Sequence, residues 1–502
     1  MNVKKVAATT KLWLAAQDKK AQAVTGEDAF WASRDIAKVL PLMIDAYASP
    51  ADEQALTPAS LIEEYDTAQD DEEEEASRKK FDYYCIPASP AMFALVEAVW
   101  MKWCAYQSLF SRHGASSKQF GEDNDKFLLS TCLSNIVNAE LTDPSSEGVT
   151  ITRDKVSLSL HSRYRPQVFN VRFLTVVDGL VGCGMLLQTK GLSWHGPIRP
   201  AQSWQTILHS SAALRALMAE HGVTAVRDTK WDRTGQEIIL RKKDKTSRLE
   251  EYSDLDVIAN GYRAEVREIN EMFSRANITV LNRTGAAFID ERDRFVQRQF
   301  TYQSWRSGGR LLGGFWTPMH KEERVSRILL NGETTVELDY NSIGYHALYA
   351  QARAAMPQGD VYRIAGMDQA SRAGIKKLML SLTFDKKANR SRFPKGSSVL
   401  FSEADRTAGA RVAIAKIKSH HVGVAYLLGA NKGHELQFIE SQVLIAVLLK
   451  VKSEGLIGLP IHDCLLVPRS QVDRVKTIME DVSLRVSGIR VPVKIQATES
   501  EQ

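Results

Sequence analysis

Leu459-Pro460-Ile461-His462-Asp463-Cys464-Leu465-Leu466-Val467 reads as two apolar strand halves joined through His-Asp. The run is rich in β-branched and large apolar residues, and only its centre is polar. A second segment, Thr334-Thr335-Val336-Glu337-Leu338-Asp339-Tyr340, has the same local design: a β-rich run that ends in an aspartate. Alternating apolar residues bury each strand and leave a carboxylate at its end, where neighbouring strands can present both acids to one point. Magnesium prefers hard oxygen ligands and takes one or two carboxylates plus substrate phosphates. Two such ions about 4 Å apart can activate an attacking hydroxyl and stabilise a leaving group. An isolated aspartate after a strand, by contrast, often only caps a turn.

The totals set bounds. A chain of 502 residues, 44% apolar and 25% charged, has room for several domains with real cores. Five scattered cysteines (Cys85, Cys104, Cys132, Cys183, Cys464), odd in number and without a C-x-x-C pair, argue against a disulfide framework or a zinc site. No stretch approaches about 18 uninterrupted apolar residues, and the N-terminus is too lysine-rich for a signal peptide. A cytoplasmic protein without a membrane span is expected. The net charge of +5 is mild, but it is unevenly spread. An acidic run covers Asp70–Glu75, while Arg and Lys crowd 283–327 and 372–396, as on a phosphate-binding surface.

Three regions follow. Residues 1–150 read as a helical N-terminal region, with helical spacing at Trp31–Ala48 and Phe93–Leu109 and an acidic loop at Ser49–Arg78. Residues 151–252 read as a small α+β module. There, a helical stripe (Val171, Leu174, Val177, Leu180, Val181), a glycine break and the strand Met185-Leu186-Leu187 outline a winged helix or any similar small unit. Residues 253–502 form the last region, opening with an amphipathic helix over 254–275 that uses Val257, Ala264, Ile269 and Phe273. Between the two aspartates, Asp368–Phe384 is a strong helix in which Arg372, Lys376, Leu380 and Phe384 recur every four residues. Two cations, an apolar residue and a ring along one face suit a triphosphate and a base, although most such stripes face a core.

The order of these segments resembles motifs A, B and C of the family A DNA polymerases and the phage-type single-subunit RNA polymerases, over roughly 290–502. By that resemblance Asp339 and Asp463 are catalytic metal ligands for two Mg2+ or Mn2+ ions, with the backbone carbonyl of Tyr340 as an extra oxygen. Arg372 and Lys376 match the motif B cations that bind the incoming triphosphate, and Leu380 and Phe384 continue that face. Phe384 falls where those enzymes place a tyrosine beside the sugar and base, and His462 matches the histidine of motif C. Gly308-Gly309-Arg310-Leu311-Leu312-Gly313 resembles the Gly-Arg element upstream of motif A in the RNA polymerases. Its glycines would let backbone approach a template or product strand, and Arg310 would meet a phosphate. Gly359-Asp360-Val361-Tyr362 is similar to an acidic turn before motif B.

What the resemblance implies is an α+β fold, a right-hand polymerase core with a palm at about 295–360 and 440–502 and fingers at about 361–440. The implied activity is template-directed nucleotidyl transfer, with a nucleic-acid template, a product strand and nucleoside triphosphates as partners. Gly344 stands where the DNA polymerases carry a bulky glutamate that excludes a ribose 2′-hydroxyl, and Cys464 is close in size to the serine of the RNA polymerases. Both lean to RNA synthesis or priming. Phe384 lacks the phenol that would hydrogen-bond the 2′-hydroxyl, which points to relaxed sugar choice, and Asp385 replaces a glycine of the families. A DNA polymerase without proofreading, and a nucleic-acid-binding protein with a relic palm, are the alternatives.

Overall fold

The computed structural model describes residues 79–110, 118–143, 146–160, 162–191, 205–242, 248–281, 289–386 and 390–496. The helix expected at Trp31–Ala48 and the acidic run Asp70–Glu75 lie outside them. The described residues mix helices and sheets. Among the described residues, no helix is long and apolar enough to cross a membrane.

The N-terminal half is built on helices α1 (Pro90–Phe110), α2 (Lys118–Thr142), α3 (Arg172–Gly182) and α4 (Ala212–His221). They pack on a sheet of β1 (Lys79–Lys80), β2 (Val149–Ile151), β3 (Leu186–Thr189) and β4 (Thr206–Ser210), in the order β1-β2-β4-β3. One core takes in Val99, Leu133, Phe173, Val177, Leu186 and Leu208. It therefore runs across the boundary expected near residue 150. Of the stripe read from the sequence, Leu174, Val177 and Leu180 are buried, while Val171 and Val181 are only partly so. Helices α1 and α3 touch closely because α3 carries glycine at the contact. A Cβ on Gly179 would stand 2.3 Å from Trp103 Nε1, which donates to Val176 O at 3.3 Å.

The C-terminal half begins with β5 (Ile238–Lys242) and helix α5 (Val257–Arg275). Asp256 caps α5 by accepting from Ile258 N and Ala259 N. The buried face of α5 is Ala259, Val266, Ile269, Met272 and Phe273. Of the apolar positions read from the sequence, Ile269 and Phe273 are buried, while Val257 and Ala264 are exposed.

Next come β6 (Ile278–Val280), β7 (Val296–Phe300), β8 (Gly308–Gly313), β9 (Ile328–Leu330) and β10 (Glu333–Tyr340). Helices α6 (Ile343–Ala352), α7 (Arg372–Phe384), α8 (Ala410–His420) and α9 (Gly433–Ser453) follow, then the hairpin β11 (Leu459–Ile461) and β12 (Cys464–Pro468), helix α10 (Val472–Ser487) and β13 (Val493–Gln496).

The sheet that matters most runs β11-β12-β10-β9-β6, with β13 also paired to β10. All its pairings are antiparallel. Thr335, Glu337 and Asp339 share one face of β10, while Leu338 and Tyr340 turn into the core on the other. Helix α9 is apolar almost all round from Val443 to Val451, and such a helix must be covered on every side. Sheet and helices enclose it in one core with Trp316, Leu465 and Met479.

Helices α6, α7 and α8 form a separate apolar cluster around Leu348, Leu378 and Ile417. His421 is fully buried within it. Its Nε2–H donates to Val361 O at 3.0 Å, and its Nδ1 accepts from the Tyr349 hydroxyl at 2.9 Å. Burial, against the bond to Val361 and with the neighbouring His420, keeps the ring neutral, holding its pKa down at about 4 against an ordinary 6.5. Between those values the unfolded chain binds a proton that the folded chain refuses, so this contribution to stability is lost as pH falls through that window. Urea unfolding of wild type and His421→Gln at pH 6.5 and pH 4.5 should show the stability gap shrinking by roughly 2–3 kcal/mol on acidification.

Candidate functional site

The register of β10 on β12 decides where the acids stand. Asp339 lies opposite Cys464 on one side and Lys494 of β13 on the other. Ile461 pairs with Cys464, so His462-Asp463 is a two-residue hairpin loop. Such loops need left-handed backbone, and His462 supplies it at φ +57°. Two carboxylates 124 positions apart in sequence thus reach one place. Ligand atoms of Asp339, Asp463 and Cys464 all lie within 4.8 Å of one another, and all three residues are half-buried.

The Asp463 carboxyl is held above the usual range by burial and by the charge of Asp339, with Arg310 and Lys376 opposing the shift. Cys464 Sγ donates to Asp339 Oδ1 at 3.1 Å, and Gln496 Nε2 donates to Asp339 Oδ2 at 2.7 Å. Burial and the neighbouring Asp463 and Asp339 push the Cys464 thiol far up, so it stays a donor. Two facing carboxylates with hard oxygen atoms, one of them held above its usual range by the charge of the other, suit a divalent cation such as magnesium or manganese. Tyr340 contributes no side chain here. Its ring is in the core and its hydroxyl donates to Met479 O at 2.6 Å.

Arg310 is not turned out toward solvent as a phosphate contact alone. It holds the buried Glu440 of α9 with two donors, Nε to Oε1 at 2.9 Å and Nη2 to Oε2 at 3.1 Å. Burial first, and then Asp463 and Asp339, push Glu440 up to about 7 against the pull of Arg310. The glycines before Arg310 also serve a contact within the protein. Gly308 and Gly309 are left-handed at φ +75° and +80°, and a Cβ on Gly309 would meet Ser441 Oγ of α9 at 2.8 Å. Below them the fully buried Arg298 donates Nε to Gly309 O at 2.9 Å and Nη2 to Ser441 Oγ at 3.2 Å, with its guanidinium 4.5 Å above the Tyr262 ring.

The helix expected over Asp368–Phe384 starts at Arg372, after a short 3-10 turn that Asp368 caps. Arg372 is paired with Asp360, and Arg372 and Lys376 lie over the Tyr362 ring at 5.4 and 5.9 Å. Lys376 is exposed, near enough to Asp463 to lower its proton affinity. Leu380 is 56% exposed rather than in a core. Phe384, about 18 Å along the helix from Arg372 at 1.5 Å per residue, sits elsewhere. It packs over Gly433, where a Cβ would strike its ring at 2.3 Å, and meets His434 edge-on at 5.0 Å. His434 in turn meets Tyr302 at 4.7 Å. Asp385 ends the helix as a buried carboxylate that accepts from Arg390, and its carbonyl takes Asn431 N at 2.8 Å. Nothing lies within 4 Å of a Cβ built on Gly344 in the first turn of α6.

The structure thus gathers Asp339, Asp463 and Cys464, and brings Lys376 and Arg310 close enough to act on Asp463. Phe384 meets His434, which in turn meets Tyr302. Glu440, Gln496, His434 and the Asp360 partner of Arg372 were not read from the sequence. Asp360 stood in the acidic turn singled out before Arg372, but its pairing had no local mark, and Glu440 lies in a helix that also carries Glu435, Gln437 and Gln442.

No family model matches the chain, and no curated protein matches it. Among solved structures it is similar to the POL domain of Pol1 from M. smegmatis in complex with a DNA primer-template and dNTP, at 14% identity and a TM-score of 0.27. That likeness covers 50% of this chain and 56% of the other. A TM-score so low carries neither fold nor function.

Because the folded-state pKa of Glu440 stands above its unfolded value of 4.5, the fold binds the extra proton between 4.5 and about 7 and loses that stability as pH rises through this window. Glu440→Gln removes the group, so relative to wild type the variant should gain stability between pH 5 and pH 8 in urea unfolding.

Proposed function

We propose that this chain is a template-directed nucleotidyltransferase of the polymerase type, leaning to RNA synthesis or priming. The observation that carries the reading is the meeting of Asp339 and Asp463 at the adjoining ends of antiparallel strands. In this reading the β10–β12–β13 sheet with α9 and α10 is a palm, and α7 and α8 belong to the fingers. Asp339 and Asp463 would hold two Mg2+ or Mn2+ ions. When bound, such ions lower the proton affinity of an attacking 3′-hydroxyl and neutralise charge on the phosphates.

The remaining roles belong to side chains. Arg372 and Lys376 bind the triphosphate, Arg372 exchanging its Asp360 partner for a phosphate oxygen. Phe384, braced by Gly433 and His434, forms an apolar wall for the base and sugar. The open space at Gly344 admits a 2′-hydroxyl. With Phe384 lacking a phenol, His434, whose ring meets Phe384 edge-on, offers a polar group for reading the sugar.

A primed template with magnesium or manganese and either NTPs or dNTPs tests this directly. Extension with NTPs is expected. Extension with dNTPs alone would make the protein a DNA polymerase, and salt-sensitive binding without incorporation would make it a relic palm that binds nucleic acid. Asp339→Ala and Asp463→Ala should each reduce incorporation to background while binding to the primed template persists. Near-normal activity in either variant would rule out the metal assignment.

Sugar choice gives a separate test. Gly344→Glu should raise the KM for NTPs on the order of tenfold and leave dNTP use much less affected.

A further inference from the structure

Both oxygens of the Asp339 carboxylate are held by neutral donors, and one of those donors is itself held. Cys464 Sγ donates to Oδ1 at 3.1 Å and Gln496 Nε2 donates to Oδ2 at 2.7 Å. The other end of the Gln496 amide, Oε1, accepts from Lys321 Nζ. Lys321 opens a short helix, Lys321–Arg327, that packs against β10. One turn along that helix, Arg324 faces the buried Glu337 at 3.8 Å. The strand register brings these groups together. Glu337 stands directly opposite Gln496 of β13, and Asp339 follows two residues on, along the same face of β10. Three segments far apart in sequence thus meet at one carboxylate.

The chemistry of each partner gives the chain of contacts a direction. An ammonium only donates, whereas a carboxamide donates at one end and accepts at the other. Lys321 therefore takes the oxygen end of Gln496 and leaves the N–H end for Asp339. Without it the amide is free to turn over and set its carbonyl against the carboxylate, lone pair to lone pair. The amide also keeps full charge at a distance. An ammonium directly on Asp339 would compete with a divalent cation for that carboxylate. A neutral donor fixes the plane of the carboxylate and leaves each oxygen a further lone pair. Groups that orient a metal ligand in this way are worth roughly 10- to 100-fold in metal affinity. A contact that merely pinned β13 to the short helix would have no use for a fixed amide direction, so polarity separates the two roles.

We propose that Lys321 and Gln496 are positioning residues for Asp339: Lys321 sets the direction of the Gln496 amide, and the amide sets the carboxylate for a divalent cation. The inference rests on the reading of Asp339 and Asp463 as metal ligands given above. It makes a prediction whose sign is opposite to that of simple electrostatics. Removing a positive charge beside a cation site would by charge alone tighten metal binding, and adding a carboxylate there would tighten it further. Loss of the amide's direction weakens it in both cases.

The test uses the full chain with Mn2+ alone, binding being read from the electron paramagnetic resonance signal of the free ion, and urea unfolding confirms that each variant is folded. Asp339→Asn gives the reference for loss of the site. Gln496→Leu should weaken Mn2+ binding on the order of tenfold. Lys321→Met should also weaken it, and Lys321→Glu, which draws the N–H end of the amide away from Asp339, should weaken it more. Lys321→Arg keeps a donor and should bind as wild type does. In the Gln496→Leu background, Lys321→Met should cost nothing further, because the two residues act in series. Unchanged or tighter binding in Lys321→Met, wild-type affinity in Gln496→Leu, or additive losses in the double variant would overturn the proposal and leave the metal assignment standing. If wild type shows no Mn2+ binding that Asp339→Asn removes, the metal assignment and the proposal fall together.

Discussion

The antiparallel pairing of β10 with β12 is the contact on which the rest of the site depends. Five residue pairs, from Thr335 with Pro468 to Asp339 with Cys464, set the register. A slip of one residue would turn Asp339 into the core and bring Leu338 to the surface in its place. That exchange would bury a charge and expose a leucine, so the hydrophobic pattern itself guards the register. The two-residue turn at His462-Asp463 then puts the second carboxylate one position beyond the last pair. Trp316 holds the hairpin from beneath, fully buried, with its indole N–H on Pro460 O at 2.9 Å.

Charge is balanced around that pairing rather than within it. Two carboxylates this close repel, and the protein answers with Arg310 and Lys376 from other elements. Arg310 is itself anchored by Glu440, which brings a third acid into the same field. The group as a whole remains rich in negative potential, which suits a cation and disfavours an empty, dry pocket. Arg372 on α7 is similarly engaged by Asp360. Arg310 and Arg372 thus each have a protein carboxylate that a phosphate could replace, because both offer paired oxygen atoms to a guanidinium.

Much of this was legible from residues. The strand endings at Asp339 and Asp463 and helix α7 were legible within a few residues of their observed bounds, since each has a strong local period and a clear break. Other features were hidden. Val257 and Ala264 are apolar positions of α5 that face out, because several apolar residues at helical spacing do not by themselves say which stripe meets a neighbour. The core that joins residues on both sides of position 150 had no local mark, since it depends on α1, α2 and α3 packing together. The paired glycines at 308–309 looked like room for a ligand, but Gly309 makes room for α9, a helix more than a hundred residues later.

By itself the sequence determined the strand and helix types, the two carboxylates at strand ends, and the four-residue spacing of Arg372, Lys376, Leu380 and Phe384. These are properties of short windows, where side-chain period and backbone preference act directly. Only the tertiary structure decided that Asp339 and Asp463 meet, that Gln496 and Cys464 donate to Asp339, that Glu440 accepts from Arg310, and that Phe384 packs on His434. Those outcomes depend on contacts between residues far apart in the chain. Such contacts form only when the apolar faces of α9 and the β10 sheet are buried together, and no local pattern encodes their geometry.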